Sequence, residues 1–237
     1  MGLTDPAKTP EDHARRVREM FARISPRYDL LNHLLSGYVD KRWRRKVVKK
    51  LKPMVAPRAQ VLDVACGTGD LSIEFFEQTK ARIIGIDFCR PMLELAQRKT
   101  RDITFVEGDA LRLPFADETF DAITIGFGLR NLASVASGLA ELRRALKPNG
   151  WLAILEFSQP AGNRMRGLVN FYYAGVLPRI GGWLSGSRSA YEYLPDSISH
   201  FPNREQLAAM MRDAGFAQVE FENLTGGVAA LHIGRRS

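Results

Sequence analysis

The stretch Val61-Leu62-Asp63-Val64-Ala65-Cys66-Gly67-Thr68-Gly69-Asp70-Leu71 is the part of this 237-residue chain best equipped for chemistry. A glycine-rich turn between an apolar run and a helix lets backbone approach a nucleotide-like ligand, because glycine supplies both unusual backbone angles and a missing side chain. Here carboxylates stand at both ends of the turn. A dinucleotide site needs a third glycine and rests its pyrophosphate on a helix N-terminus. This chain has Ser72 at that place, and Asp63 and Asp70 would repel the anion. S-adenosylmethionine has no phosphate and carries a sulfonium and an ammonium, so its charges suit Gly67 and Gly69 fenced by acids. The spacing therefore predicts a site for a cationic methyl donor, with Asp63, Gly67 and Gly69 among its walls.

Two further acids follow at matching places. Arg82-Ile83-Ile84-Gly85-Ile86-Asp87 reads as a second buried strand whose final acid lies 20 residues beyond Gly67 and is placed to accept from ribose hydroxyls. A third strand, Ile103 to Glu107, leads to Gly108-Asp109-Ala110, where Asp109 would accept from an adenine amino group and the Ala110 backbone would touch the ring. A lone acid is ordinarily solvated surface. Three acids at successive strand ends form a rim.

These residues require a sheet to hold them. Apolar runs at 61–65, 83–87, 103–107, 120–127 and 151–157 alternate with helical stretches from Asp70, from Pro91 and from Ser134 to Leu146, which predicts a mostly parallel sheet covered on both faces. Lys147-Pro148-Asn149-Gly150 is expected to be a turn before the last of these strands. A helix from Asn203 to Asp213, a stop at Gly215 and two strands, Ala217 to Glu222 and Gly227 to Ile233, close the chain. Residues 1–60 form an N-terminal helical cap, 61–158 the cofactor-binding core, 159–202 a helical insertion, and 203–237 the closing helix and strands of one domain. In the cap, Ala14 to Phe21 is helical, Ser25-Pro26 offers an N-cap and first turn, and Val39 to Leu51 carries an apolar stripe expected to pack on the core. The insertion holds Phe171, Tyr172, Tyr173, Trp183, Tyr191 and Tyr193 and is expected to roof the strand tips.

Composition bounds the rest. Apolar residues make up 45% of the chain, enough for one sizeable core. Two cysteines without a C-x-x-C pair and four dispersed histidines give neither a disulfide framework nor a metal site. The opening residues lack a signal-peptide core and no 18-residue apolar run occurs, so a cytoplasmic protein is expected. The net charge of +8 resides in the cap, where residues 1–60 hold 15 Lys and Arg against 6 acids. Such a region suits an anionic lipid surface or nucleic acid.

The chain resembles the ubiquinone/menaquinone biosynthesis C-methyltransferase family over residues 14–234. The likeness rests on Tyr28-Asp29-Leu30-Leu31-Asn32 with Ser36 and Trp43, on Gly126-Phe127-Gly128-Leu129-Arg130-Asn131, and on Arg144-Ala145-Leu146-Lys147-Pro148-Asn149-Gly150 running to Glu156-Phe157-Ser158. Leu177-Pro178-Arg179-Ile180, Tyr191-Glu192-Tyr193-Leu194 and Asn223-Leu224-Thr225 extend it. The resemblance implies a Rossmann-like class I S-adenosylmethionine-dependent methyltransferase that methylates a ring carbon of a polyprenylated quinol. It implies Thr68, Asp87, Asp109 and Ala110 as cofactor contacts, with Gly126 reduced to a backbone contact because a serine is usual there. Arg130, Asn131 and Tyr28 are implied around the quinol oxygens. Leu31, Asp40 and Asn149 also depart from the family pattern, where Met, His and Gly are usual.

Phenols ionise near pH ~10, so the phenolic proton has to be drawn off before the ring carbon attacks a methyl sulfonium. Arginine is effectively always protonated, so Arg130 is assigned to stabilising the quinolate and activating water. His200 is not placed in the site, and Cys66 and Cys89 are expected to pack beside the cofactor without reacting. Naphthoquinol and benzoquinol rings both stay open as acceptors, with demethylmenaquinol favoured. A small-molecule O- or N-methyltransferase is the near alternative. A nucleic-acid methyltransferase is remote, because no Asn/Asp-Pro-Pro-Tyr tetrad occurs. Expected partners are the quinol and an anionic membrane surface, with no nucleic acid, and a homodimer is left open.

Overall fold

The computed structural model describes residues 9–160, 162, 167, 169 and 188–237. Seven strands form one sheet: β1 (Gln60–Val64), β2 (Arg82–Asp87), β3 (Thr104–Glu107), β4 (Phe120–Gly126), β5 (Leu146–Phe157), β6 (Phe216–Leu224) and β7 (Ala229–Arg236). Their spatial order is β3-β2-β1-β4-β5-β7-β6, with β7 antiparallel to both neighbours and every other pairing parallel. The chain begins at the middle of the sheet, runs outward to β3, then returns to β4 on the other side of β1. That reversal leaves a crevice beyond the ends of β1 and β4, where ligands of such sheets bind.

Apolar strands buried on both faces dictate helices on both faces. On one side lie α3 (Val39–Leu51), α4 (Asp70–Thr79) and α5 (Arg90–Lys99), packed through Val47, Val48, Leu51, Phe75 and Ala96. On the other lie α6 (Val135–Ala145) and α8 (Arg204–Asp213), packed through Leu139, Leu142, Leu207 and Met211. The α3 stripe falls on the core as expected. Val47, Val48 and Leu51 are fully buried, each worth about 1.5–3 kcal/mol, so the basic face of this helix is its outer one.

The remaining cap and roof are α1 (Pro10–Ile24), α2 (Tyr28–Leu35) and α7 (Arg188–His200). Helix α1 is longer at both ends than the expected 14–21, because Thr9 caps it through the Asp12 N–H. Ser25 is not an N-cap. It stays in helical geometry and its hydroxyl donates to the Ala22 carbonyl, so a short 3-10 turn carries α1 into α2. The expected turn at 147–150 lies inside the bounds of β5 and takes φ +65° at Asn149, a left-handed angle that asparagine tolerates where glycine is usual. Within the insertion, Phe171, Tyr172, Tyr173, Trp183 and the segment 177–180 lie outside the described residues. Among the described residues no helix is long and apolar enough to cross a membrane.

Candidate active site

The turn after β1 is built from left-handed residues, with φ +51° at Ala65, +55° at Gly67 and +80° at Gly69. A Cβ added to Gly67 would meet nothing within 4 Å, so a side chain there would project into the crevice. Gly69 differs. Its added Cβ would run into the Phe105 ring at 2.8 Å and Ala96 at 3.1 Å, and it lines neither of the two cavities described below. Glycine at 69 therefore also serves close packing of the turn against Phe105 of β3 and Ala96 of α5. Asp70 is no fence for the ligand charge, because Arg44 and Lys99 pair with it.

Asp87 ends β2 facing this turn and accepts N–H bonds from Gly67 and Cys89, both at 2.8 Å. A carboxylate has about four acceptor positions, so lone pairs remain for a ligand. Burial pushes Asp87 up to about 6, against the opposing pull of the Cys89, Gly67 and Phe88 N–H groups. Asp87 lines the first cavity together with Phe88, Met92, Asp109 and Ala110. Asp109 is held in place by the Leu111 N–H at 2.9 Å. Asp63 lies deeper, 1% exposed, and accepts from Ser72 Oγ at 2.6 Å and Thr124 Oγ1 at 2.7 Å. Burial raises it to about 6 as well, outweighing those two hydroxyls.

The second cavity adjoins the first. Tyr28, Gly67, Gly126 and Phe127 line both, so the two meet over the tips of β1 and β4. Its far wall is aromatic: Trp43, Phe127 and Phe157 pack together with ring centroids 4.7–6.3 Å apart. Arg130 lines it too. This guanidinium is 7% exposed, pairs with the buried Glu156 at 2.8 Å, donates to the Phe127 carbonyl at 2.5 Å and lies 5.2 Å from the centre of the Phe157 ring. Its Nε has no hydrogen-bond partner among the described residues. Beside it, Asn131 Oδ1 accepts from the Tyr193 hydroxyl at 3.1 Å, which ties α7 to the strand-tip turn. A Cβ on Gly126 would meet Leu71 Cδ2 at 3.2 Å.

The cap is fastened to the glycine turn by polar contacts that no local spacing announces. Thr68 Oγ1 donates to Asp29 of α2 at 2.5 Å, and Lys99 reaches both Asp29 and Asp70 at 2.6 Å. His33 Nδ1 lies 2.7 Å from Asp40, which also accepts from Ser36 and Arg44. Burial would raise Asp40, but Ser36, Arg44 and His33 hold it below the usual carboxylate range, so it is a poor proton acceptor. Cys66 and Cys89 are free thiols, both raised by burial, Cys89 to about 11, as suits packing rather than reactivity. His200 stands exposed at the end of α7 on its own Asp196 carbonyl.

The architecture is shared with a solved S-adenosylmethionine-dependent methyltransferase of Thermotoga maritima, described as a possible histamine N-methyltransferase, at TM-score 0.67 and 19% identity over 92% of this chain and 99% of that one. That likeness concerns the fold alone. Closer in sequence are a demethylmenaquinone methyltransferase of Deinococcus radiodurans, 47% identical over 97% of this chain and 96% of the relative, and a ubiquinone/menaquinone biosynthesis C-methyltransferase UbiE of Citrifermentans bemidjiense, 46% identical over 95% and 98%. The profile of the ubiE/COQ5 methyltransferase family matches residues 9–236. The chain belongs to that family. In this ubiE/COQ5 methyltransferase the structure gathers Asp63, Gly67, Thr68, Asp87, Asp109, Ala110 and Gly126 around two joined cavities, with Tyr28, Arg130 and Asn131 on the same walls. Glu156, Asp29 and the His33–Asp40–Arg44 cluster escape a reading of the sequence. Most of their partners lie far off in the chain or in another helix, while Asp40 and Arg44 pair one turn apart within α3.

Proposed function

We propose that this methyltransferase transfers a methyl group from S-adenosylmethionine to a ring carbon of a polyprenylated quinol, with demethylmenaquinol as the acceptor. The observation that carries this reading is the junction of an acid-rimmed cavity with an aromatic one at Gly67 and Gly126. The residues of the first cavity fit the donor. Asp87 retains acceptor capacity for the ribose, Gly67 leaves the cradle open, and Asp109 and Ala110 on the same wall offer an adenine edge an acceptor and a small neighbour. When bound, the donor supplies an electrophilic methyl group on a sulfonium.

The chain's own residues do the rest. Trp43, Phe127 and Phe157 give a flat acceptor ring an apolar slot and exclude water, which lowers the cost of merging a quinolate with a cation. Arg130, on the wall of the aromatic cavity, stabilises the developing phenolate by its positive charge and steadies a water that takes the proton. Glu156 balances the arginine's charge, and Tyr28 and Asn131 orient the oxygens. Alignment of this kind supplies roughly 7–11 kcal/mol in favourable cases. The isoprenoid tail brings the enzyme to the inner face of the cytoplasmic membrane, where the basic cap favours anionic lipid.

The test is methyl transfer from labelled S-adenosylmethionine to reduced demethylmenaquinone, run beside 2-methoxy-6-polyprenyl-1,4-benzoquinol. Label in the naphthoquinol ring is expected. Label only in the benzoquinol moves the reading to ubiquinone-type chemistry, and label in neither overturns it.

Burial also predicts a pH dependence of donor binding. A carboxylate raised to about 6 favours the neutral acid in the empty fold, so its stabilising contribution is present below the unfolded value near 4 and is lost as pH rises through 6. Ribose hydroxyls donate to the ionised form, so the donor competes with that proton. Affinity by calorimetry is expected to fall as pH drops through 6, by up to about tenfold per unit for each group. A flat profile between about pH 5 and 7 would contradict the role of Asp87.

A further inference from the structure

Helix α2 turns Asp29 inward to Thr68 and Lys99 and His33 inward to Asp40, while Leu30 is 62% exposed and Leu34 51% exposed. These leucines lie one turn apart on a single face. Tyr38, at the corner between α2 and α3, is 53% exposed and folds back on the end of α2 through its N–H to the His33 carbonyl at 2.8 Å. Among the described residues Phe221, on the edge strand β6 and 36% exposed, is the one other large apolar side chain left so open. Single exposed leucines need no explanation, but three large apolar groups within nine residues make a patch.

Charge beside the patch says what covers it. Lys41 and Arg42 are exposed at the start of α3, and Lys41 Nζ stands 5.4 Å from the centre of the Tyr38 ring. Apolar side chains with cations and an amphipathic aromatic at their border match the junction of acyl chains and anionic headgroups. The inner side of the same helix carries Tyr28, and Ser36 follows it, both on the wall of the aromatic cavity. We infer that Leu30, Leu34 and Tyr38 form the surface that dips into an anionic bilayer, so that α2 is both membrane anchor and wall of the acceptor cavity. This inference rests on the quinol reading given above and assigns its lipid contact to one helix rather than to the basic cap as a whole. A face of α2 shared with a second copy of the chain would be apolar too, but it would give no reason for the cations of Lys41 and Arg42 at its border.

The experiment uses the full chain and vesicles of phosphatidylcholine with and without phosphatidylglycerol. In the Tyr38→Trp protein, the fluorescence maximum is expected to shift to the blue on mixing with anionic vesicles, and to do so less with phosphatidylcholine alone or at high salt. Leu30→Glu/Leu34→Glu is expected to lower vesicle partitioning at least tenfold while leaving methylation of a tail-less soluble quinol at the parent rate. Lys41→Gln/Arg42→Gln, which touches no leucine, is expected to remove the preference for anionic lipid. Partitioning unchanged by the leucine substitutions, an emission maximum of the Tyr38→Trp protein that stays put on vesicle addition, or a dimer that the leucine substitutions split into monomers would each overturn the inference. Failure of the parent protein on the tail-less quinol would instead count against the quinol reading, since no vesicle enters that arm.

Discussion

The Arg130→Gln/Glu156→Gln double variant is expected to fold, to bind S-adenosylmethionine as the parent does, and to lose at least about a hundredfold in kcat, the scale of removing one preorganised charge stabiliser. Two substitutions are needed because the pair is buried, with Glu156 1% exposed and Arg130 7%. Removing the arginine alone would strand a carboxylate and cost roughly 3–5 kcal/mol of stability, and the lost activity could then be ascribed to unfolding. Two glutamines keep hydrogen-bonding groups in place without charge. Thermal melting, donor calorimetry and single-turnover methylation separate the three quantities. A double variant with parental turnover would remove Arg130 from the reaction.

Asp87→Ala is expected to act on the other substrate. Hydrogen bonds to a charged group are worth about 1.5–3 kcal/mol each, so losing those to the ribose weakens donor binding by roughly a hundredfold. The variant also releases the Gly67 and Cys89 N–H groups, which Asp87 now holds at 2.8 Å. The turn should therefore loosen, and Asp87→Asn is the informative companion because its amide oxygen still accepts one of them. Donor dissociation constants rank the three proteins, with the parent tightest and alanine weakest. Equal affinity for parent and alanine would take Asp87 out of the ribose site.

The strand and helix order is legible because it is written in local pattern. Val39 to Leu51 is bounded to the residue by its stripe of Val39, Trp43, Val47, Val48 and Leu51, and the acids of the rim follow from strand ends. What stays hidden depends on distance. Gly69 looks like part of the ligand turn, yet its constraint comes from Phe105, a residue that only the folded sheet brings beside it. On helix α2, Leu30 and Leu34 face outward against the usual rule, while Asp29 and His33 turn to Thr68, Lys99 and Asp40. Glu156 is in plain view within a recognised motif. Its pairing with Arg130 cannot be read there because it joins the end of β5 to the turn after β4, which only the folded sheet makes neighbours.

The two central strands end in an interlock. Ala65 and Phe127 both adopt left-handed backbone, at φ +51° and +59°, and a Cβ placed on Gly128 would stand 2.4 Å from the Ala65 methyl. No larger residue fits at either place without parting β1 from β4 at the point where donor and acceptor meet. The bed of the crevice is thereby closed to tinkering, while the helices above it answer to weaker steric demands. A lineage that exchanged one aromatic acceptor for another would have to do so by rewriting the canopy.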